Sequence, residues 1–501
     1  MSHFLTERFL MFRPNRERSP HALALFIIVT CQLMVTLDST VVNVALLTIR
    51  HAIGFSPGVL DWVIDAYSLA FGGFLLLGGR LGDAFGRRAT LCAGIALFTA
   101  GSLAGGLAPS AGLLLASRAI QGLGAAFAAP NALALIIVIS AEGRERARAL
   151  GLFTAASAAG GSLGLVLGGA LTSWISWRAA FIVNVPVGLI VLALAPRHLP
   201  STLRSVGGLD VMGAVLGTVG LVAMINGLID LARQASATAT LASFVLGGAL
   251  LAALVVVELR VDNPIVPPTV VRDRRRLVAL LVMLLVPITL YGSFFLTAQY
   301  VEGSLHFSPL RAGLSFLPLS GAIVVASRLT PGLVARRGPA ISLLLGMATL
   351  VFGSAWMVAA SSSSSYLVGL LAPLVLLGAG AGLAFPSLNA IALAGASPSE
   401  SGATAGLLQA MQQIGTSAGV AVLTVFAIVD GRRAALVGGC AFVIATFALA
   451  AIGLTRGSAR RSALTEEARP SATAPRVLAG SAATVSNGSN CGGPGTRLVS
   501  G

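Results

Sequence analysis

Three ionisable side chains, Asp38, Asp65 and Arg118, fall inside long apolar runs. A charge at such a place costs several kcal/mol, at least ~2.5–3.5 on insertion scales, and is retained mainly where it has a task. Asp38 stands eight residues from the outer end of its run, and Arg118 and Asp65 seven from theirs. At about 1.5 Å per residue all three reach a depth of about 10–12 Å. A carboxylate can take up a proton and a guanidinium cannot lose one. The chemistry this suggests is a switchable pair, in which a proton on Asp38 releases Arg118. The alternative is a static buried ion pair that fixes the bundle.

Polar residues also recur at helical spacing. At about 100° per residue Gln32, Thr36, Ser39, Thr40 and Asn43 share one face of the first run. Gln409, Gln412, Gln413 and Thr416 form a matching stripe near the C-terminal end of the apolar region. Asp38 lies off the first stripe, which suits it to coupling more than to substrate contact. Such faces need partners, so they line either water and a cavity or an interhelical hydrogen-bonded seam. Gln121, three residues after Arg118, is placed with the cavity residues. Other chemistries find little support. Cys31, Cys92, Cys440 and Cys491 are scattered without a CxxC pair, and the five histidines lie in tails, loops or run ends, so neither a metal site nor a disulfide framework is expected. Gly160–Gly164 matches the G-x-S-x-G hydrolase pattern, but within an apolar helix instead of the strand–turn–helix that motif requires. No Walker-type loop is present, and no cofactor is expected.

The elements that carry these residues are membrane helices. The chain of 501 residues is 56% hydrophobic and 10% charged, against roughly a quarter charged in soluble proteins. Apolar runs predict spans near 21–46, 58–79, 89–108, 111–138, 146–171, 179–195, 209–230, 239–258, 277–300, 311–329, 340–360, 366–394, 403–428 and 434–455. Period-two alternation is absent, and lipid demands internally paired backbones, so the spans are helices. The expected fold class is therefore an all-α integral membrane protein of about fourteen transmembrane helices. The first run is too long for a signal-peptide core and is read as a span.

All 33 basic residues are Arg, and the net charge is +15. They cluster between runs without interleaved aromatics, which fits the positive-inside rule better than nucleic-acid binding. With the N-terminus inside, twenty Arg fall in the N-tail and the first five inner loops, six in the C-terminal tail and six outside. Arg432 and Arg433 fit this orientation poorly. Both termini are thus expected in the cytoplasm of a bacterial cell, with the lipid bilayer as the main partner surface.

The runs also repeat. Gly122, Gly124 and Pro130 recur as Gly378, Gly380 and Pro386; Gly151, Gly160 and Gly164 recur as Gly406, Gly415 and Gly419, in identical spacing. The expected organisation is an N-tail (1–20), a six-helix bundle (21–195), an inserted helix pair with its loops (196–276), a second six-helix bundle (277–455) and a disordered cytoplasmic tail (456–501). Parallel repeats of this kind enclose a site near the bilayer midplane. The Ser361–Ser365 run marks a short outer turn.

Several stretches resemble the fourteen-span drug:proton antiporter family of the major facilitator superfamily. Gly79-Arg80-Leu81-Gly82-Asp83-Ala84-Phe85-Gly86-Arg87-Arg88 resembles the superfamily's signature loop. That resemblance implies a conformational latch made of Gly79, Asp83, Gly86, Arg87 and Arg88. Leu37–Leu46 is similar to the family's first-span motif, Arg118–Gly124 to the motif tied to proton transfer, and Ser176–Pro186 to the link between spans 5 and 6. The family's Gly-Pro in span 5 is here Gly164-Leu165, which weakens the inference of export direction. Gly160, Gly164 and Gly168 still form a small-residue row for close helix contact.

The resemblance implies proton-coupled export of small amphipathic drugs or antibiotics by a protein that works as a monomer. Asp38, Arg118 and Asp65 would couple protons; Gln32, Thr36, Asn43, Gln121, Gln409, Gln412, Gln413 and Thr416 would line the cavity. A transporter of a native metabolite with the same fold is the alternative. A membrane-embedded enzyme or receptor is disfavoured by the lack of clustered His, Cys or acids.

Overall fold

Apolar composition over twenty or more residues leaves the backbone only itself to bond to, and the chain answers with helices throughout. A computed structural model describes residues 18–54, 60, 62–201, 211–258, 272–303, 305, 307, 309–360, 367–394 and 400–467. Most of the N-tail, the loops at 202–210 and 259–271, the Ser361–Ser365 turn and the tail from 468 lie outside the described residues. Twelve long helices follow in order: α1 (Arg18–Ile53), α2 (Trp62–Phe85), α3 (Arg87–Gly106), α4 (Ala111–Ile139), α5 (Arg144–Trp174) and α6 (Asn184–His198). Then come α7 (Val211–Ala232), α8 (Ala237–Glu258), α9 (Arg274–Gly303), α10 (Leu317–Ala359), α11 (Ala372–Ala392) and α12 (Ser401–Glu467).

The expected number of separate helices, about fourteen, is not met as a count: twelve among the described residues are long and apolar enough to cross a membrane. Two of those stretches, Arg311–Ala359 and Ser401–Leu454, hold 49 and 54 residues. At about 1.5 Å per residue each is more than twice the ~30 Å hydrocarbon thickness. Each also contains a glycine with non-helical, positive φ, Gly338 at 80° and Gly431 at 83°. Gly86, at φ 98°, separates α2 from α3 in the same way. Only a residue without Cβ takes this conformation readily, so the break in the helix falls on glycine each time. At the C-terminal end α12 continues as helix to Glu467, past residue 455, where a featureless tail was expected. Residues 457–501 form a unit of their own.

The repeated glycines make repeated contacts. A Cβ on Gly122 would strike the Tyr67 carbonyl, and one on Gly378 the Leu319 carbonyl. Gly160, Gly164 and Gly168 lay α5 against α1: an added Cβ would stand 3.0, 2.8 and 2.7 Å from the carbonyl oxygens of Leu33, Leu37 and Val41. Gly415 and Gly419 bring α12 against the Leu284 and Ile288 carbonyls of α9 in the same manner. Without a hydrophobic force between helices in lipid, such close backbone packing holds the bundle. Helices α7 and α8 pack on each other and reach the rest through α2, where Gly72 and Gly73 receive Ile225 and Val222.

Candidate functional site

Asp38 and Arg118 meet. Both are fully buried, and Arg118 Nη1 donates to Asp38 Oδ2 at 2.6 Å. A buried ion pair repays its desolvation only when the remaining lone pairs and protons are also satisfied. Here Gln121 Nε2 (3.0 Å) and Asn184 Nδ2 (2.8 Å) both donate to Asp38 Oδ1. Arg118 Nε donates to the Val63 carbonyl at 2.9 Å, and Gln121 also donates to Ser102 Oγ at 2.8 Å. The Arg118 guanidinium lies 4.4 Å from the Tyr67 ring centroid, within cation–π range. Helices α4 and α6 thus meet the α1 carboxylate directly, and α2 and α3 join the same network through Arg118 and Gln121. Loss of its charge would disturb all five at once.

A cavity of about 390 Å³ lies beside this network. Its wall includes Gln32, Thr36, Ser39 and Thr40 from α1, and Gln409, Gln412, Gln413 and Thr416 from α12. The two stripes read from the sequence therefore face one space. Asn43's side chain lies outside the described residues. Gln121 does not line the cavity; it is drawn into the Asp38 network, because position i+3 from Arg118 puts it on the same helix face. Among the described residues, none that lines the cavity is charged. Aromatic wall comes from Tyr67, Phe71, Phe153, Tyr291, Phe294 and Phe385. Tyr67 both lines the cavity and covers Arg118, so it stands between the two.

Asp65 departs from expectation. It pairs with Arg233, just beyond α7, and is partly exposed. Equal depth did not mean equal direction: Asp65 faces the α7–α8 pair, and Trp62 lies 5.6 Å below the same guanidinium. Its pair with Arg233 links α2 to the end of α7.

The signature loop does join distant parts of the chain. Asp83 is 3% exposed and accepts from the backbone N–H groups of Gly402 (3.1 Å) and Ala403 (2.8 Å), in the first turn of α12. A carboxylate there satisfies helix donors that have no partner in their own helix, and meets the positive end of the helix dipole. Arg87 Nη2 pairs with Asp83 at 2.8 Å. Gly79 lies against Gly402 and Gly406, where any Cβ would collide with backbone. Arg88 acts elsewhere, donating to the carbonyls of Pro196 (3.0 Å) and Leu199 (3.2 Å) at the end of α6.

Sequence reasoning passed over Tyr67, Ser102, Ser157 and Asn389. Ser157 Oγ accepts from Gln32 Nε2 at 2.7 Å, and Asn389 lines the cavity. The available signal was a polar residue in an apolar run; what was missing was a partner, which lies on another helix.

Residues 28–420 match the sequence profile of the Major Facilitator Superfamily. The chain belongs to that superfamily. It is therefore a multi-pass membrane transporter for small molecules, in a family not made up of enzymes. Over 409 residues it is 40% identical to the puromycin resistance protein pur8 of Streptomyces alboniger, covering 80% of each chain. It is 38% identical to the cephamycin export protein CmcT of Amycolatopsis lactamdurans, over 80% of this chain and 84% of that one. The lincomycin resistance protein of Streptomyces lincolnensis is 34% identical, over 81% and 84%. Among solved structures, the human organic anion transporter MFSD10 (TETRAN) superposes with a TM-score of 0.64 at 16% identity, over 86% of this chain and 99% of that one. This last likeness speaks to the fold alone.

Proposed function

We propose that this superfamily member exports small amphipathic compounds, antibiotics among them, in exchange for protons, across a bacterial plasma membrane. The observation that carries the reading is the buried acid Asp38, held by Arg118 and separated from a two-sided cavity by one tyrosine ring. The resistance and export functions named for its relatives support the same direction of transport. Both termini are taken to be cytoplasmic, as the Arg bias requires, and the monomer contains one complete cavity. The two long helices each cross twice, turning at Gly338 and Gly431, which gives fourteen crossings. The crossings before and after the α7–α8 pair form the two moving bundles.

In this state the bundles are closed on the side of Asp83. There α2 and α12 meet backbone to backbone, Gly79 lying against Gly402 and Gly406. At the other end Val41, Val42, Ile49, Val63, Leu114 and Phe181 form a separate cluster with no member beyond Phe181 among its buried residues. On this reading the cavity opens on the side opposite Asp83, away from the cytoplasm. A proton arriving at Asp38 cancels its charge and frees Arg118 from its counter-ion. The five-helix contact weakens, and the equilibrium moves toward the inward-facing state. Proton release to the cytoplasm restores the pair.

Expression in an efflux-deficient bacterium tests this reading. Transported compounds should accumulate less, and a proton uncoupler should abolish the difference. If exclusion survives collapse of the proton gradient, or if no amphipathic antibiotic is excluded, the reading is wrong.

A further inference from the structure

One position on the cavity wall carries no side chain. Gly161, on α5, is the only glycine among the described residues that line the cavity. The two usual reasons for a glycine do not apply to it. It lies inside a helix and is not among the glycines with positive φ, so its backbone would accept a Cβ. Packing does not forbid one either: a Cβ on Gly161 would meet nothing within 4 Å. On Gly160, the next residue, a Cβ would stand 3.0 Å from the Leu33 carbonyl oxygen, and on Gly164 it would strike Thr40. A glycine is unfavourable inside a helix relative to alanine. At Gly161 its one positive effect is room.

That room belongs to the cavity. Thr154, Ser157 and Ala158 stand seven, four and three residues before Gly161, on the same face of α5, and all of them line the cavity. Four residues beyond, Leu165 lies against Gly313, ahead of α10, and is no longer part of the wall. The open space on this face therefore ends within about a turn of Gly161. Elsewhere the wall carries large side chains, Phe71, Phe153, Phe294 and Phe385 among them. In a closely packed site a change of one methylene is felt, so a missing side chain at this point bears directly on what fits.

We propose that Gly161 sets the size limit of the cavity: the space beside it takes the bulkiest ring or branch of a transported compound, and a side chain there would confine binding to slimmer ones. The proposal rests on the cavity being the export site but concerns fit alone, so the two can fail separately.

The test uses the purified full-length protein and its apparent Tm. The probes are aryl-trimethylammonium ions with one, two and three fused rings, which differ in size at constant charge and suit a wall of six aromatic rings. All three should raise the Tm of the unaltered protein. Without ligand, Gly161→Ala should leave the Tm unchanged or higher, whereas Gly164→Ala should lower it, because packing holds only the second glycine. Gly161→Leu should weaken binding of the three-ring ion about 10- to 200-fold, with Gly161→Ala in between, and leave the one-ring ion unaffected. Gly248→Leu, at an equally open glycine on the exposed side of α8, should change neither. If Gly161→Leu folds poorly, the alanine variant decides the matter alone. The proposal is overturned if Gly161→Ala lowers the Tm as Gly164→Ala does, or if the three-ring ion binds the variants as tightly as the unaltered protein. Equal weakening of the one-ring and three-ring ions overturns it too, as does failure of all three ions to bind. Size-graded binding without proton-driven flux would instead refute the export reading and leave this inference standing.

Discussion

Replacing Asp83 by Asn changes one atom type and leaves the side chain's shape intact, so its effect isolates charge at the closed end of the bundle. The carboxylate holds the Gly402 and Ala403 N–H groups at 3.1 and 2.8 Å and Arg87 at 2.8 Å. An amide oxygen in the place of Oδ1 keeps the Gly402 and Arg87 contacts without the charge, but Nδ2 then faces the Ala403 N–H, donor against donor. Charge-assisted hydrogen bonds contribute about 1.5–3 kcal/mol, and a carboxylate at a helix N-terminus about 0.3–1 more. Taken together, closure on this side should weaken by about 2–4 kcal/mol, a shift of roughly 30- to 1,000-fold in the equilibrium between the two access states. Spin labels on α2 and at the start of α12 would report it. Their distance distribution should change from a single short peak to one dominated by a longer separation, and transport should slow because the outward-facing state is rarely reached. An unchanged distribution with full transport would refute the argument that Asp83 holds this side closed.

Asp38→Asn should give a folded, membrane-inserted protein in which substrate binding persists and pH-driven transport is lost; full activity in proteoliposomes would contradict the coupling role. Tyr67→Phe keeps the ring over Arg118 and should transport normally, whereas Tyr67→Ala opens the partition and should let protons leak without substrate, as read by a pH-sensitive dye inside vesicles. Gly164→Val places two methyl groups against the Leu37 carbonyl and Thr40, and should lower the Tm or prevent folding, since overpacking costs about 1–3 kcal/mol or more. Asp65→Asn should cost about 1 kcal/mol of stability or less and leave the transport rate nearly unchanged, because its pair with Arg233 is partly exposed.

Much of this site was legible because membrane helices are regular. With 100° per residue, the Gln32–Thr36–Thr40 and Gln409–Gln413–Thr416 stripes each had to present one face, and lipid could not be what they faced. Glycines at four-residue intervals had to be contact rows, since no other use of a missing Cβ recurs at that spacing. Depth was also legible, because rise per residue is fixed. Direction was not. Asp65 and Asp38 share a depth yet turn to different neighbours, as the rotation of one helix about its axis is set only by what packs beside it.

The sequence by itself determined the helices, their spacing across the membrane, the repeated glycine contacts and the short list of charges that lipid would not tolerate without purpose. All of these follow from local geometry and from the cost of leaving polar groups bare. The tertiary structure alone decided that Asn184 and Gln121 complete the shell of Asp38, that Asp65 links α2 to the end of α7, and that Asp83 reaches the first turn of α12. It alone placed Tyr67 between cavity and ion pair. These are contacts between residues scores to hundreds of positions apart, and no periodicity along a chain records which helix will become another's neighbour.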